Sequence, residues 1–155
     1  AMKRTSYADM PCPMAQTLER VGEWWSLLIL REAFRGTRRF GDFERRLGIA
    51  KNVLSARLKH LVEAGVLERR PSTEDAREVE YRLTAAGKDL LPVLVALAQW
   101  GERWVYDGHS PVRFVNRHTG APVETLAVRD ADGQVLAARD LKLAPPAAAD
   151  TDAAA

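Results

Sequence analysis

Lys51, Asn52, Ser55 and Lys59 recur at intervals that put them on one side of a helix. They offer hydrogen-bond donors and acceptors on short or flexible stems, which suits reading base edges in a DNA groove. Ala56 shares that side and, with Ser55, is small enough to let the helix backbone approach closely. An ordinary solvated helix face would have the same composition, so the pattern of this helix by itself leaves both readings open. Arg38 and Arg39 stand upstream and Arg77 downstream, each a guanidinium suited to a phosphate. Arg57 turns toward the inner side, where an ion pair with Glu63 or Glu44 competes with a DNA role.

Two further sets carry chemistry of other kinds. Trp24, Trp25, Trp100 and Trp104 could wall an apolar pocket for a planar aromatic effector, with core or subunit packing as the alternative for each. Cys12 is the single cysteine, which excludes an intramolecular disulfide framework and fits a reducing compartment. As a lone thiol with sparse charge nearby it reads as a packed or semi-exposed side chain. Three histidines, one cysteine and scattered carboxylates supply no nucleophile with its base and no glycine-rich phosphate loop, so an enzyme is not expected. His109 and His118 cannot complete a four-ligand metal site, and neither a metal nor a cofactor is expected.

The elements that would position these residues follow from periodicity and turn chemistry. Phe40, Phe43 and Leu47 lie one helical turn apart, and Gly48 ends that helix. Leu54, Leu58 and Leu61 give the next helix, over residues 51–64, a buried face opposite the polar one. Ala50 stands at its start without a capping side chain, at a cost of about 1 kcal/mol. Two strand-like runs, residues 66–70 and 78–83, flank a charged turn-forming loop and read as a hairpin wing over residues 71–78. Glu74 and Asp75 at its tip are expected to be solvated partners of neighbouring arginines. Upstream, Leu18, Val21, Trp25 and Leu28 form an apolar stripe that Leu27, Ile29 and Leu30 extend nearly all the way round, so this segment should be buried. After the wing, Thr84 can cap a helix in which Leu90, Val93, Leu94, Leu97, Gly101 and Trp104 share one side, and Pro92 kinks it or starts it anew.

This order of elements is that of a winged helix-turn-helix, in which one helix is a pedestal, the next enters the major groove and the hairpin reaches the flanking backbone. The fold class expected is mainly α with a small β-wing (α+β), followed by a C-terminal antiparallel β-meander. The meander comprises residues 112–117, 123–128 and 135–143, joined by turns at 118–122 and 130–133. The divisions expected are a winged-helix DNA-binding and dimerisation domain over 1–106, a β-rich extension over 107–143, and a disordered Ala/Pro tail over 144–155.

Charge supports the same division of labour. The 155 residues carry a net charge of only +2, but from Arg31 to Arg82 there are 13 Lys+Arg against 9 Asp+Glu, and from Tyr106 onward 5 against 7. Attraction to phosphates depends on the local excess. No signal-peptide pattern and no apolar run long enough for a bilayer are present, so a cytoplasmic protein with no membrane partner is expected.

The chain resembles the HxlR family of bacterial transcription regulators, relatives of the MarR type. The resemblance rests on Cys12-Pro13, Trp25-Ser26-Leu27-Leu28-Ile29-Leu30-Arg31-Glu32, Gly36-Thr37-Arg38-Arg39-Phe40, Leu54-Ser55-Ala56-Arg57-Leu58, Glu80-Tyr81-Arg82-Leu83-Thr84, Gly87, and Leu91-Pro92-Val93-Leu94 to Trp100. It covers about two thirds of the chain. The resemblance implies a homodimeric repressor or activator on a palindromic double-stranded DNA operator, answering in many cases to a small molecule or oxidant. Trp24 departs from the basic or polar residue usual there. Some longer relatives carry a cysteine-bearing ribbon where this chain reads Arg117-His118-Thr119-Gly120. The rival functions are a winged-helix protein-interaction module without DNA binding, which the acidic wing tip favours, and a regulator sensing oxidants or electrophiles through Cys12.

Overall fold

The computed structural model describes residues 5–146. They fall into two compact units, divided between Leu97 and Ala98 within the last helix. In the first unit α1 (Pro13–Val21) begins with proline at its first position, where the missing N–H is not needed. The carboxylate of Glu23 caps α2 (Trp24–Phe34), accepting from the backbone N–H groups of Trp25 and Ser26 at 3.0 and 3.3 Å. The buried face of α2 is Ser26, Ile29, Leu30 and Glu32, whereas Leu28, and Leu18 on α1, are exposed. The stripe expected to be buried is therefore only partly so. A helix apolar on nearly every side carries no preference in its periodicity, and the packing of α3 and α4 against α2 selects the Ile29–Leu30 side.

Helix α3 (Phe40–Leu47) buries Phe43 completely and ends at Gly48. That residue has φ 62° and donates its N–H to the Glu44 carbonyl at 2.9 Å, a left-handed cap that glycine adopts without strain. Helix α4 (Lys51–Glu63) follows with an uncapped start at Ala50, as expected, and with Leu54, Leu58 and Leu61 fully buried.

Strands β1 (Leu67–Pro71) and β2 (Val79–Leu83) pair antiparallel in unbroken register from Leu67↔Leu83 to Pro71↔Val79. The Tyr81 N–H donates to the Arg38 carbonyl at 2.7 Å, which fixes the segment before α3 to the wing. Thr84 accepts from the Gly87 N–H at 3.1 Å and caps α5 (Ala85–Lys88). Gly87 cannot be another residue without movement, because a Cβ there would overlap the Val66 carbonyl oxygen. α6 (Leu91–Trp104) then begins anew with Pro92 in its first turn. Leu94 and Val95 are buried, while Val93, Leu97, Trp100 and Trp104 are exposed.

The second unit holds the end of α6 and the extension. The strands expected there are reduced to two single antiparallel bridges, Val115↔Pro122 and Arg129↔Val135, with a 3-10 turn at Ala138–Asp140 in the third run. The alternating apolar residues find no face to bury: Val112, Val123, Leu126, Val128 and Val135 are all exposed. Residues 144–146 are exposed and without regular structure, and the rest of the expected tail lies outside the described residues. Among the described residues no helix is long and apolar enough to cross a membrane.

Candidate nucleic-acid interface

Burial of Leu54, Leu58 and Leu61 turns the opposite side of α4 outward, and Lys51, Asn52, Ser55, Ala56 and Lys59 are all exposed. Among the described residues Lys51, Asn52 and Ser55 have no ion pair or side-chain hydrogen bond, while Lys59 Nζ lies 3.9 Å from Glu63 one turn on. With no capping side chain at Ala50, the backbone N–H groups of the first turn also have no side-chain acceptor. Arg57 faces inward and lies 3.8 Å from Glu23, tying α4 to the cap of α2. Glu63 and Glu44 are not its partners: the carboxylate within ion-pair reach of Arg57 is that of Glu23, and Glu63 lies 3.9 Å from Lys59 instead.

The arginines around α4 are less available than their sequence positions suggest. Arg39 Nη2 lies 3.1 Å from Glu74 and 2.9 Å from Glu78, and Arg77 is held by Asp75 at 3.2 Å within the loop. The Arg77 side chain, then its backbone N–H, hold the Asp75 carboxyl below the usual carboxylate range. Arg38 is exposed. The sequence-derived set omits Arg45 and Arg69, which join Arg39, Asp42, Glu78 and Tyr81 around a cleft of about 590 Å³ between α3 and the wing. Only the outward position of Arg69 on β1, at an alternating position beside basic Arg70, hints at this in the sequence.

Glu32 is nearly wholly buried, yet Arg31 at 3.2 Å, Arg35 at 3.4 Å and Arg46 of α3 at 4.0 Å surround it. Thr37 adds a hydroxyl at 3.4 Å. Through Arg46 this cluster links α3 to α2. Cys12 is the residue before α1 and is half-buried. Arg20, the nearby basic residue, donates instead to the Gln16 carbonyl at 2.8 Å. Of the tryptophans, Trp25 is half-buried and Trp24 is 87% exposed in the first unit. Trp100 and Trp104 are exposed in the second, with the Arg103 guanidinium 4.9 Å above the Trp104 ring. None of the four lines the cleft by the wing or the cavity of about 570 Å³ in the second unit.

A pedestal helix, a solvent-facing second helix and a paired hairpin in this order define a winged helix-turn-helix protein. Residues 20–109 match the family described as HxlR-like helix-turn-helix. The chain belongs to that family, whose members are transcription regulators and not enzymes. It is 48% identical over 106 residues to an HTH-type transcriptional regulator of Mycobacterium tuberculosis described as uncharacterised, across 68% of this chain and 67% of that one. Among solved structures, the candidate transcription factor PA1607 superposes with a TM-score of 0.86 at 46% identity, covering 92% of this chain and 100% of its own. The oxidised redox regulator HypR superposes with a TM-score of 0.53 at 30% identity, over 59% of this chain and 95% of its own.

Proposed function

We propose that this regulator acts as a homodimer that binds a palindromic DNA operator with α4 in the major groove. The observation that carries the reading is the outer face of α4: Lys51, Asn52 and Ser55 are exposed and unpaired while the leucines opposite are fully buried. Lys and Asn side chains so placed read guanine and adenine edges, and Ser55 accepts or donates to either. Arg38, Arg39 and Arg77 then contact the flanking backbone, and the position of the wing beside α3 supports this.

Support for a dimer comes from apolar surface that one chain leaves in water. Met14, Leu18, Trp24, Leu28, Leu97, Trp100 and Trp104 are all exposed, more large apolar side chains than a monomer of this size commonly shows. We assign the exposed apolar side chains of the first unit, with the indole of Trp24, to that subunit interface. A two-fold axis through it would set two α4 helices about 34 Å apart, one turn of duplex. A gel shift on a fragment from upstream of the protein's own gene, with unspecific competitor, tests the assignment. Lys51→Ala with Lys59→Ala should weaken binding by about tenfold or more at fixed salt. Equal binding by this variant, or a monomer by sedimentation, would remove the basis of the reading.

A further inference from the structure

The wing tip puts carboxylates where a phosphate would be expected. Glu74 and Glu78 converge on a single nitrogen of Arg39, at 3.1 and 2.9 Å, from side chains that are 81% and 47% exposed. Asp75 holds Arg77, the arginine of the loop itself. Two carboxylates on one solvated guanidinium are a poor stability device. Each exposed pair contributes at most about 1 kcal/mol, and the second acid adds repulsion from the first. The same geometry is well suited to competition, because a backbone phosphate would approach this guanidinium from the solvent side that the carboxylates now occupy.

We propose that Glu74 and Glu78 set the affinity of the protein for DNA by acting as an internal phosphate mimic on Arg39. The inference rests on the DNA-binding reading above and adds its own consequence. On a duplex, a phosphate replaces both carboxylates at Arg39, and the liberated acids gather cations that the phosphate had shed. Binding is therefore weaker, and less steeply dependent on salt, than the basic residues of this half alone would give. The effect is independent of base sequence. It keeps the regulator from settling on DNA where α4 makes no base contacts, since backbone contact alone is then too weak to hold it.

The test is fluorescence anisotropy with a labelled mixed-sequence duplex of about three helical turns, at about 50 to 200 mM KCl, on the full chain. Glu74→Gln with Glu78→Gln should tighten binding about tenfold and steepen the plot of log affinity against log salt by about 1. Removing negative charge anywhere near DNA tightens binding somewhat, so the deciding measurement is the same pair of substitutions in an Arg39→Gln background. If the carboxylates act through Arg39, most of the gain disappears there. A gain of equal size with and without Arg39, or no gain at all in a protein that binds the duplex, overturns the proposal. Failure of the original protein and every variant to bind any duplex overturns the DNA reading itself, and the proposal with it.

Discussion

The wing and the C-terminal extension both read as strand-like runs joined by polar, turn-forming loops, at 71–78 in the wing and at 118–122 and 130–133 in the extension, yet among the described residues only the wing forms strands. In the wing, Leu67 is 1% exposed, and Glu80 is buried between Ser72 and Arg82. The extension has the turns but not the ladder. Asn116 Oδ1 accepts from the N–H groups of His118 and Thr119 at 2.8 and 3.2 Å, and Asp130 Oδ1 from those of Asp132 and Gln134 at 3.0 and 2.9 Å. Gln99 adds two bonds from α6, to the Glu124 carbonyl and the Leu126 N–H. Turn chemistry is local and persists wherever the right side chain stands. A ladder needs one face removed from water, and the extension has none within its own unit.

Identical kinds of substitution in the two regions should therefore differ most in their cost. Phe43→Ala in α3 removes a fully buried ring and should destabilise the winged unit by about 3–5 kcal/mol. Val112→Ala, at a side chain 77% exposed, should change stability by less than about 0.5 kcal/mol. Urea denaturation of both proteins checks this, and a large cost at Val112 would mean that the extension has a core of its own.

The same contrast explains what could be read in the sequence. The stop at Gly48, the leucine face of α4, the uncapped Ala50, the wing and the Thr84 cap depend on neighbours within a few residues, and each is legible. The outward side of α4 was legible for the same reason, since burying Leu54, Leu58 and Leu61 leaves its residues no other direction. The partners of Arg57 and Arg39 were not. Glu23 lies 34 positions from Arg57 and Glu74 lies 35 from Arg39, and charge sign along a chain carries no distance. The buried face of α2 was hidden because that helix is apolar on almost every side. The extension misled because alternation reports a tendency to extend and says nothing about what covers it.

Acid should expose the wing's one buried carboxylate. Hydrogen bonds from Arg82, and then from Ser72, hold Glu80 below its ordinary range against the opposing effect of burial. A carboxyl with a depressed folded pKa adds stability that is fully present above its unfolded value and is lost as pH falls through the folded one. The melting temperature should thus decline as pH drops below about 4.5, and Glu80→Gln should flatten that decline while lowering stability at neutral pH. Thermal melts of both proteins between neutral pH and about pH 3 measure it. An unchanged acid slope would show that Glu80 is not what couples the wing to pH, and would leave Leu67 packing alone to distinguish the wing from the extension.

The most local effect belongs to the extension's turns, and it tests whether they stand on local chemistry. Asn116→Ala removes one acceptor from two backbone N–H groups that water can reach, so the cost should be about 1 kcal/mol and confined to the turn. Amide exchange at His118 and Thr119 should speed up, while exchange in α4 and across the β1–β2 ladder stays as it was. Local opening with no wider consequence is what a turn held by its own side chain must give. Should the α4 amides lose protection as well, the turn would be bearing on the winged unit, and the contrast between a packed hairpin and a self-closed one would fail at its weakest point.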